Sequence, residues 1–351
     1  MLTLENKNPL VSIVLTTFNS QAIIERVLEA IVNQDFPLER VELIIVDGGS
    51  KDKTLKIIQD FLERNAHRFY EVKIITHDKN YGVSKARNDG IRASKGKYLL
   101  ILDHDVVMRR ETLNSLVKYL ERSSEKVGCV KPLFHVVKGR LLNKWLEKIL
   151  ENRITKHNTI ADCTLIKREV INKIGYYDET LGPPHTICEE REYGARAEAG
   201  GYEIHMIGWI KVDHYTGVED DNVNAESSNR HEANRILKRL IPVQLIIAFR
   251  QLCDSEYRQA LRKWIASMSS LKKLKWMLYS TIMPSLAITS LTTLALGTPS
   301  PLLLWFFITF TLYIDVLRQY WNPKIPHISI AYSFTAFLWR VVRSLVLLTP
   351  K

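Results

Sequence analysis

The sequence predicts an α/β protein: a mainly parallel sheet with helices on both faces, followed by an apolar helical C-terminal region. Three observations carry this prediction. Apolar strand-like runs alternate with amphipathic stretches over the first hundred residues. The run Tyr98-Leu99-Leu100-Ile101-Leu102 ends directly in Asp103-His104-Asp105. Residues 276–314 contain no Asp, Glu, Lys or Arg.

The elements follow in order. Val11 to Thr16 reads as a strand, and Ser20 as the N-cap of a helix through Asn33. In that helix Ile23, Ile24, Val27, Leu28 and Ile31 share one face. Val41 to Val46 is a second strand, ending at Asp47-Gly48-Gly49-Ser50, with a helix from about Asp52 to Arg64 behind it. Val72 to Thr76 is a third strand, Gly82 to Ala93 a helix, and Tyr98 to Leu102 a fourth strand. Unbroken apolar strands separated by helices are the signature of a parallel sheet covered on both faces.

That topology brings three loops to one edge: Thr17-Phe18-Asn19, Asp47-Gly48-Gly49-Ser50 and Asp103-His104-Asp105. The carboxyl ends of parallel strands are where open α/β folds bind ligands. Small and polar residues there admit a nucleotide, with Asp47 able to accept hydrogen bonds from a base or ribose. Two carboxylates one residue apart suit a hard cation, Mn2+ or Mg2+, which can neutralise a diphosphate. The same carboxylates also read as an N-cap for a helix after Met108. Neither G-x-G-x-x-G nor G-x-x-x-x-G-K-[ST] is present, which removes support for dinucleotide and P-loop chemistry.

Charge is unevenly divided. Residues 1–231 carry 34 basic and 34 acidic side chains, residues 232–351 carry 15 and 4, so the whole net +11 lies in the last third. The balanced N-terminal part is therefore not a basic nucleic-acid binder. Cys129, Cys163, Cys188 and Cys253 lack paired spacing and read as reduced thiols of a cytosolic environment. Met1 to Leu10 has no continuous apolar core of the signal-peptide kind. A crossing needs roughly 20 apolar residues, so the uncharged stretch suits two spans broken at Gly297-Thr298-Pro299-Ser300-Pro301. The expected spans are about 277–296, 301–317 and 327–348, the last holding Arg340 and Arg343. Residues 232–275 mix Lys and Arg with Trp, Leu and Ile, as helices lying on an anionic membrane surface do. Lys272, Lys273 and Lys275 before the first span, and Arg318 and Lys324 after the second, put the N-terminal domain on the cytoplasmic side.

As an ordered set, these residues resemble the GT-A fold of family 2 glycosyltransferases. The likeness begins at Val11-Ser12-Ile13-Val14-Leu15-Thr16-Thr17-Phe18-Asn19 and runs through Asp47-Gly48-Gly49-Ser50-Lys51-Asp52-Lys53-Thr54. It continues through Asn80-Tyr81-Gly82-Val83-Ser84-Lys85-Ala86-Arg87-Asn88 and Asp103-His104-Asp105, where the family keeps its metal-binding D-x-D. Lys167-Arg168-Glu169, Ile174 to Glu179, and Cys188 to Arg196 complete the resemblance, over about residues 9–217. The membrane-bound type is similar to polyprenol- and dolichol-linked mannosyltransferases.

The resemblance implies that Thr17, Asn19, Asp47, Asp52, Arg87, Asp103 and His104 bind the donor nucleotide sugar. It implies metal ligation by Asp103, Asp105 and His214. Glu190 occupies the place of the family's catalytic Asp, a departure in chain length, with Glu189 and Glu192 as acceptor-side candidates. The implied reaction is inverting, metal-dependent transfer of a hexose, mannose first, from a nucleotide-diphosphate sugar to a hydroxyl of a lipid-linked glycan. The expected enzyme is an integral protein of the cell membrane with a cytoplasmic catalytic domain. A lipid phosphate as acceptor is the alternative, and a membrane scaffold with a dead GT-A domain is another. Processive polysaccharide synthases share the fold but usually show a Q-x-x-R-W segment, absent here.

Overall fold

The computed structural model describes residues 9–137, 141–181 and 189–215, and beyond them 263, 265–270, 272–279, 300–321, 329–330, 333–334, 336–337 and 341. The chain divides into two units, Met1–Val218 and Glu219–Lys351.

The first unit opens as the alternation predicts: β1 (Val11–Thr17), α1 (Ile24–Val32), β2 (Val41–Asp47), α2 (Thr54–Asn65), β3 (Glu71–Thr76), α3 (Val83–Ala93) and β4 (Tyr98–Asp103). β1 lies between β2 and β4, and β3 follows β2, all parallel. Every residue of β1 and β2 is buried, as strands covered on both faces must be. α1 starts at Ile24 and Ser20 is no side-chain cap. Its carbonyl accepts from the Ile23 and Ile24 amides, and its hydroxyl pairs with that of Thr17.

The remainder is β5 (Val106–Met108), α4 (Thr112–Arg122), β6 (Val127–Val136), α5 (Leu141–Leu150), β7 (Ile154–His157), β8 (Cys163–Lys167), α6 (Arg168–Ile174), α7 (Glu189–Ala199) and β9 (Glu203–His214). Here the sheet departs from the mainly parallel expectation. The order is β3-β2-β1-β4-β8-β6-β9-β5, with β7 also on β9. β8 is antiparallel to β4 and β6, and β9 is antiparallel to β5 and β7 but parallel to β6. The sheet is therefore mixed. The cause lies in the connections: after β4 the chain leaves for β5, which pairs only with β9, and β8, β6 and β9 from farther along the chain complete the sheet. The helix-cap reading of Asp103 and Asp105 falls away too, because β5 follows them and α4 begins only at Thr112.

In the second unit, the helix Ser300–Tyr320 contributes Leu312 and Val316 to a small core with Tyr279, Phe337 and Val341. Lys275 Nζ lies 3.0 Å from Asp315 Oδ1. Among the described residues, no helix is long and apolar enough to cross a membrane. The expected span 301–317 falls within this helix, which carries Asp315 and Arg318 toward its end. The expected spans 277–296 and 327–348, and the surface helices over 232–275, lie largely outside the described residues, as do Cys188 and Cys253.

Candidate active site

The carboxyl ends of β1, β2 and β4 meet where the sequence places them, and two loops are zipped together. Asn19, at φ +47°, donates its backbone N–H to Ser50 Oγ at 2.8 Å, and its Oδ1 accepts from the Lys51 amide at 2.9 Å. The Gly48 amide donates to the Thr17 carbonyl at 2.8 Å. Gly49 sits at φ +85°, and a Cβ there would come within 3.0 Å of the Lys79 backbone, so only glycine fits without strain.

Two predicted donor residues are engaged by the loops' own backbone, Asp47 buried and Asp52 half-buried. Asp47 is fully buried, and its carboxylate accepts from the Gly49 and Ser50 amides and the Ser50 hydroxyl. Asp52 accepts from the Thr54 amide at 3.0 Å and the Gln21 amide at 3.1 Å. Burial pushes the Asp52 carboxyl up, but hydrogen bonds from Thr54 and Gln21 outweigh it and hold the group below its ordinary value. Both residues build the loops that edge the crevice. Thr17 is likewise buried beside Ser20. His104 is half-buried on the turn between β4 and β5.

Arg87 is the centre of the site. α3 carries it into the interior, where it is 2% exposed. Its Nη2 lies 2.7 Å from Asp103 Oδ2 and its Nη1 3.4 Å from Glu189 Oε1. The guanidinium also stands 5.4 Å from the Tyr177 ring centroid. Burial alone would lower its proton affinity; Asp103, Tyr177 and Glu189 more than reverse that, so Arg87 is a permanent cation. Its neighbour Asn88 clamps Tyr177, accepting from the Tyr177 amide at 2.8 Å and donating to the Tyr177 carbonyl at 3.0 Å. Asp103 also accepts from Thr16 Oγ1 at 3.1 Å.

Asp105 and His214 meet at the far end of β9, with Nε2 3.1 Å from Oδ2. Burial lowers the His214 pKa, but the Asp105 hydrogen bond and the charges of Asp105, Asp162 and Asp103 raise it above its ordinary value. The predicted metal triad is thus split: Asp105 and His214 pair with each other, while Asp103 pairs with Arg87. Among the described residues, no three His, Cys, Asp or Glu groups gather as a cation site. Asp103 is answered by the Arg87 guanidinium, and Asp105 is hydrogen-bonded to His214. Two carboxylates and an imidazole nevertheless fit Mn2+ or Mg2+ by donor type.

Glu189 and Glu190 open α7. Glu189 is buried, with Oε1 toward Arg87 and Oε2 unpartnered. Burial first, then the charge of Glu190, pushes its carboxyl up to about 7. Glu190 is one-quarter exposed at its side chain, and its backbone carbonyl accepts from the Ile160 amide at 3.0 Å. Glu192, expected on the acceptor side, turns away instead: Arg196 takes both its oxygens, at 2.7 and 2.9 Å. One helical turn separates the two, so they pair along α7.

Sequence reasoning missed the segment 158–162. It ties the two sides of the site together, because Ile160 bonds Glu190 while the Asp162 carbonyl accepts from the Asp103 amide at 2.8 Å. Gly194 on α7 lets this segment approach: a Cβ there would lie 2.4 Å from the Asn158 carbonyl oxygen. Lys131, 2% exposed, reaches Thr159 Oγ1 at 3.1 Å and Asp162 Oδ2 at 3.5 Å. The signal in the sequence was slight: a lone Lys inside the strand-like run Val127–Phe134.

Residues 12–175 match the family described as Glycosyl transferase family 2. The chain is 28% identical over 214 residues to a probable glycosyltransferase, YdaM, of Bacillus subtilis (strain 168), which covers 57% of this chain and 49% of that protein. The fold is similar to that of S. aureus TarS 1-349 in complex with UDP, at a TM-score of 0.54 and 16% identity over 95% of this chain and 90% of that one. It is also similar to the mannosyltransferase PcManGT from Pyrobaculum calidifontis in complex with GDP-Man and Mn2+, at 0.51 and 17% over 97% and 86%. The chain spans about half the length, or less, of the curated relatives it matches first. Residues 12–175 are accordingly a glycosyltransferase family 2 domain, an enzyme domain with a GT-A-like fold.

Proposed function

We propose that this protein is an inverting, metal-dependent glycosyltransferase that moves a hexose from a nucleotide-diphosphate sugar to a hydroxyl of a lipid-linked glycan. Mannose from GDP-mannose is the first candidate and UDP-hexoses are the next, in keeping with neighbours in complex with GDP-Man and Mn2+ or with UDP. The observation that carries the reading is Arg87, buried and bridging Asp103 at the strand edge to Glu189 beside Glu190. It joins a donor side to an acceptor side within one cleft.

The loops 17–19 and 48–51 form the lip that receives the nucleotide. Asp105, His214 and Asp103 would hold Mn2+ or Mg2+, which would supply neutralisation of the diphosphate leaving group. Glu190 takes the proton from the attacking hydroxyl, and attack from the face opposite the leaving group inverts the sugar carbon. Arg87 keeps Asp103 and Glu189 in place, and the proton on Glu189 spares the pocket a second buried negative charge below about pH 7. A membrane location with a cytoplasmic catalytic domain is supported by the +11 excess after residue 231, and by Ile308, Phe310, Trp321 and Phe334, which are exposed apolar side chains.

Calorimetric titration of the full chain with UDP- and GDP-sugars, with and without Mn2+, followed by mass spectrometry of acceptor products, tests this. Metal-dependent binding and a glycosylated hydroxyl acceptor are expected. Preference for polyprenyl phosphate overturns the acceptor assignment, and absence of both binding and transfer favours a scaffold.

A further inference from the structure

Resting on the glycosyl-transfer reading above, we propose that Asp162 is an acceptor-binding carboxylate, taking hydrogen bonds from two neighbouring hydroxyls of a sugar, and that buried Lys131 positions it. Asp162 directly precedes β8, which runs antiparallel to β4 with Cys163 opposite Leu102. A strand running that way begins at the edge where β4 ends, so Asp162 stands beside Asp103. The backbone bond from the Asp103 amide to the Asp162 carbonyl, 2.8 Å, fixes this.

Two features mark the residue as more than a connector. Its φ is +61°, a left-handed conformation uncommon outside glycine and found where surrounding structure imposes it. Its side chain is 39% exposed, against 18% for Asp103 and 6% for Glu189, so it is open to solvent where those are largely closed. Beneath it lies Lys131, nearly sealed from solvent. A sealed ammonium is costly unless its charge is answered, and Asp162 is the carboxylate that answers it. Lys131 engages Oδ2, which leaves Oδ1 with no hydrogen bond among the described residues.

The chemistry selects the ligand class. A planar carboxylate accepts two adjacent hydroxyl donors well, whereas a carboxylate is an acceptor only and offers a phosphate oxygen no donor. The acceptor end seated here is therefore a polyol. The Ile160 amide bond to Glu190 keeps the same segment fixed to the proposed base.

The test uses the full chain with its donor sugar nucleotide and two probes, octyl β-D-glucoside and octyl phosphate. Asn tolerates the left-handed conformation, so Asp162→Asn removes charge without adding strain. It should raise KM for octyl glucoside about tenfold or more, as losing a hydrogen-bonding partner for a substrate hydroxyl does, with kcat and nucleotide affinity nearly unchanged. Lys131→Met should raise the same KM less, and the double variant should behave like Asp162→Asn. Deoxy analogues of octyl glucoside should be discriminated by the wild type and not by Asp162→Asn, which a merely structural residue would not produce. If the stranded lysine unfolds Asp162→Asn, the double variant carries the same KM comparison. Unchanged acceptor KM with normal donor turnover, or wild-type preference for octyl phosphate, overturns the assignment. No turnover of any sugar nucleotide by the wild type overturns the glycosyl-transfer reading and the assignment with it.

Discussion

The two sides of the cleft differ in how far the chain completes them itself. On the donor lip, Asp47 and Asp52 are satisfied by backbone amides and the loops are stitched by Asn19 and Ser50. On the opposite wall, Arg87 Nε and Glu189 Oε2 are buried without hydrogen-bond partners among the described residues, and Lys131 leans on a carboxylate 3.5 Å away. Buried polar atoms are normally paired, so those left unpaired mark where a ligand or a proton change does the pairing. The lip is held by its own hydrogen bonds, and the wall leaves polar atoms unpaired.

Five experiments break or sharpen that contrast. Glu190→Gln should lower kcat by about two to four orders of magnitude with nucleotide affinity kept, the range for loss of a general base; equal turnover would remove Glu190 from the chemistry. Arg87→Met should cost about 3–5 kcal/mol of stability in urea unfolding, because it strands Asp103 and Glu189; a loss below about 1 kcal/mol would mean Arg87 does not hold the two sides together. Gly194→Ala should cost roughly 1–3 kcal/mol and reduce turnover, since the Asn158 backbone has to retreat from the new methyl.

Glu189→Gln addresses pH. The Glu189 carboxyl is raised from 4.5 to about 7, so the folded state holds its proton more tightly than the unfolded chain. Its contribution to stability is full below about pH 4.5 and is lost as pH rises through 7. Melting curves should show wild type losing stability relative to Glu189→Gln across that window, and parallel curves would sink the assignment. Smallest of all, Glu192→Gln should cost about 1 kcal/mol through the loss of one partly buried ion pair, and leave turnover within about twofold. A large kinetic defect would return Glu192 to the acceptor side.

The legible part of the fold was β1 through β4. Their apolar runs, helices and strand-end loops depend on neighbours close in sequence, and Val11, Val41, Val72 and Tyr98 fall within one residue of the observed strand starts. Of the site residues read from the sequence, Asp103 and Arg87 meet as an ion pair and Asp105 meets His214. The mixed half was not. Whether β8 enters the sheet up or down depends on its pairing with β4 across some 60 residues, a contact of tertiary origin. Without that direction, Asp162 is a loop residue and Lys131 a stray charge.

The sequence by itself determined which residue types reach the strand-end edge, because strand period and chain direction fix where a loop must emerge. It determined as well that charge divides sharply at residue 231. Only the tertiary structure decided which donors each carboxylate meets. Asp47, Asp52 and Glu192 are turned to amides and Arg196, while Asp162 is turned outward. A carboxylate's role follows from the donors that reach it, and those donors come from distant parts of the chain.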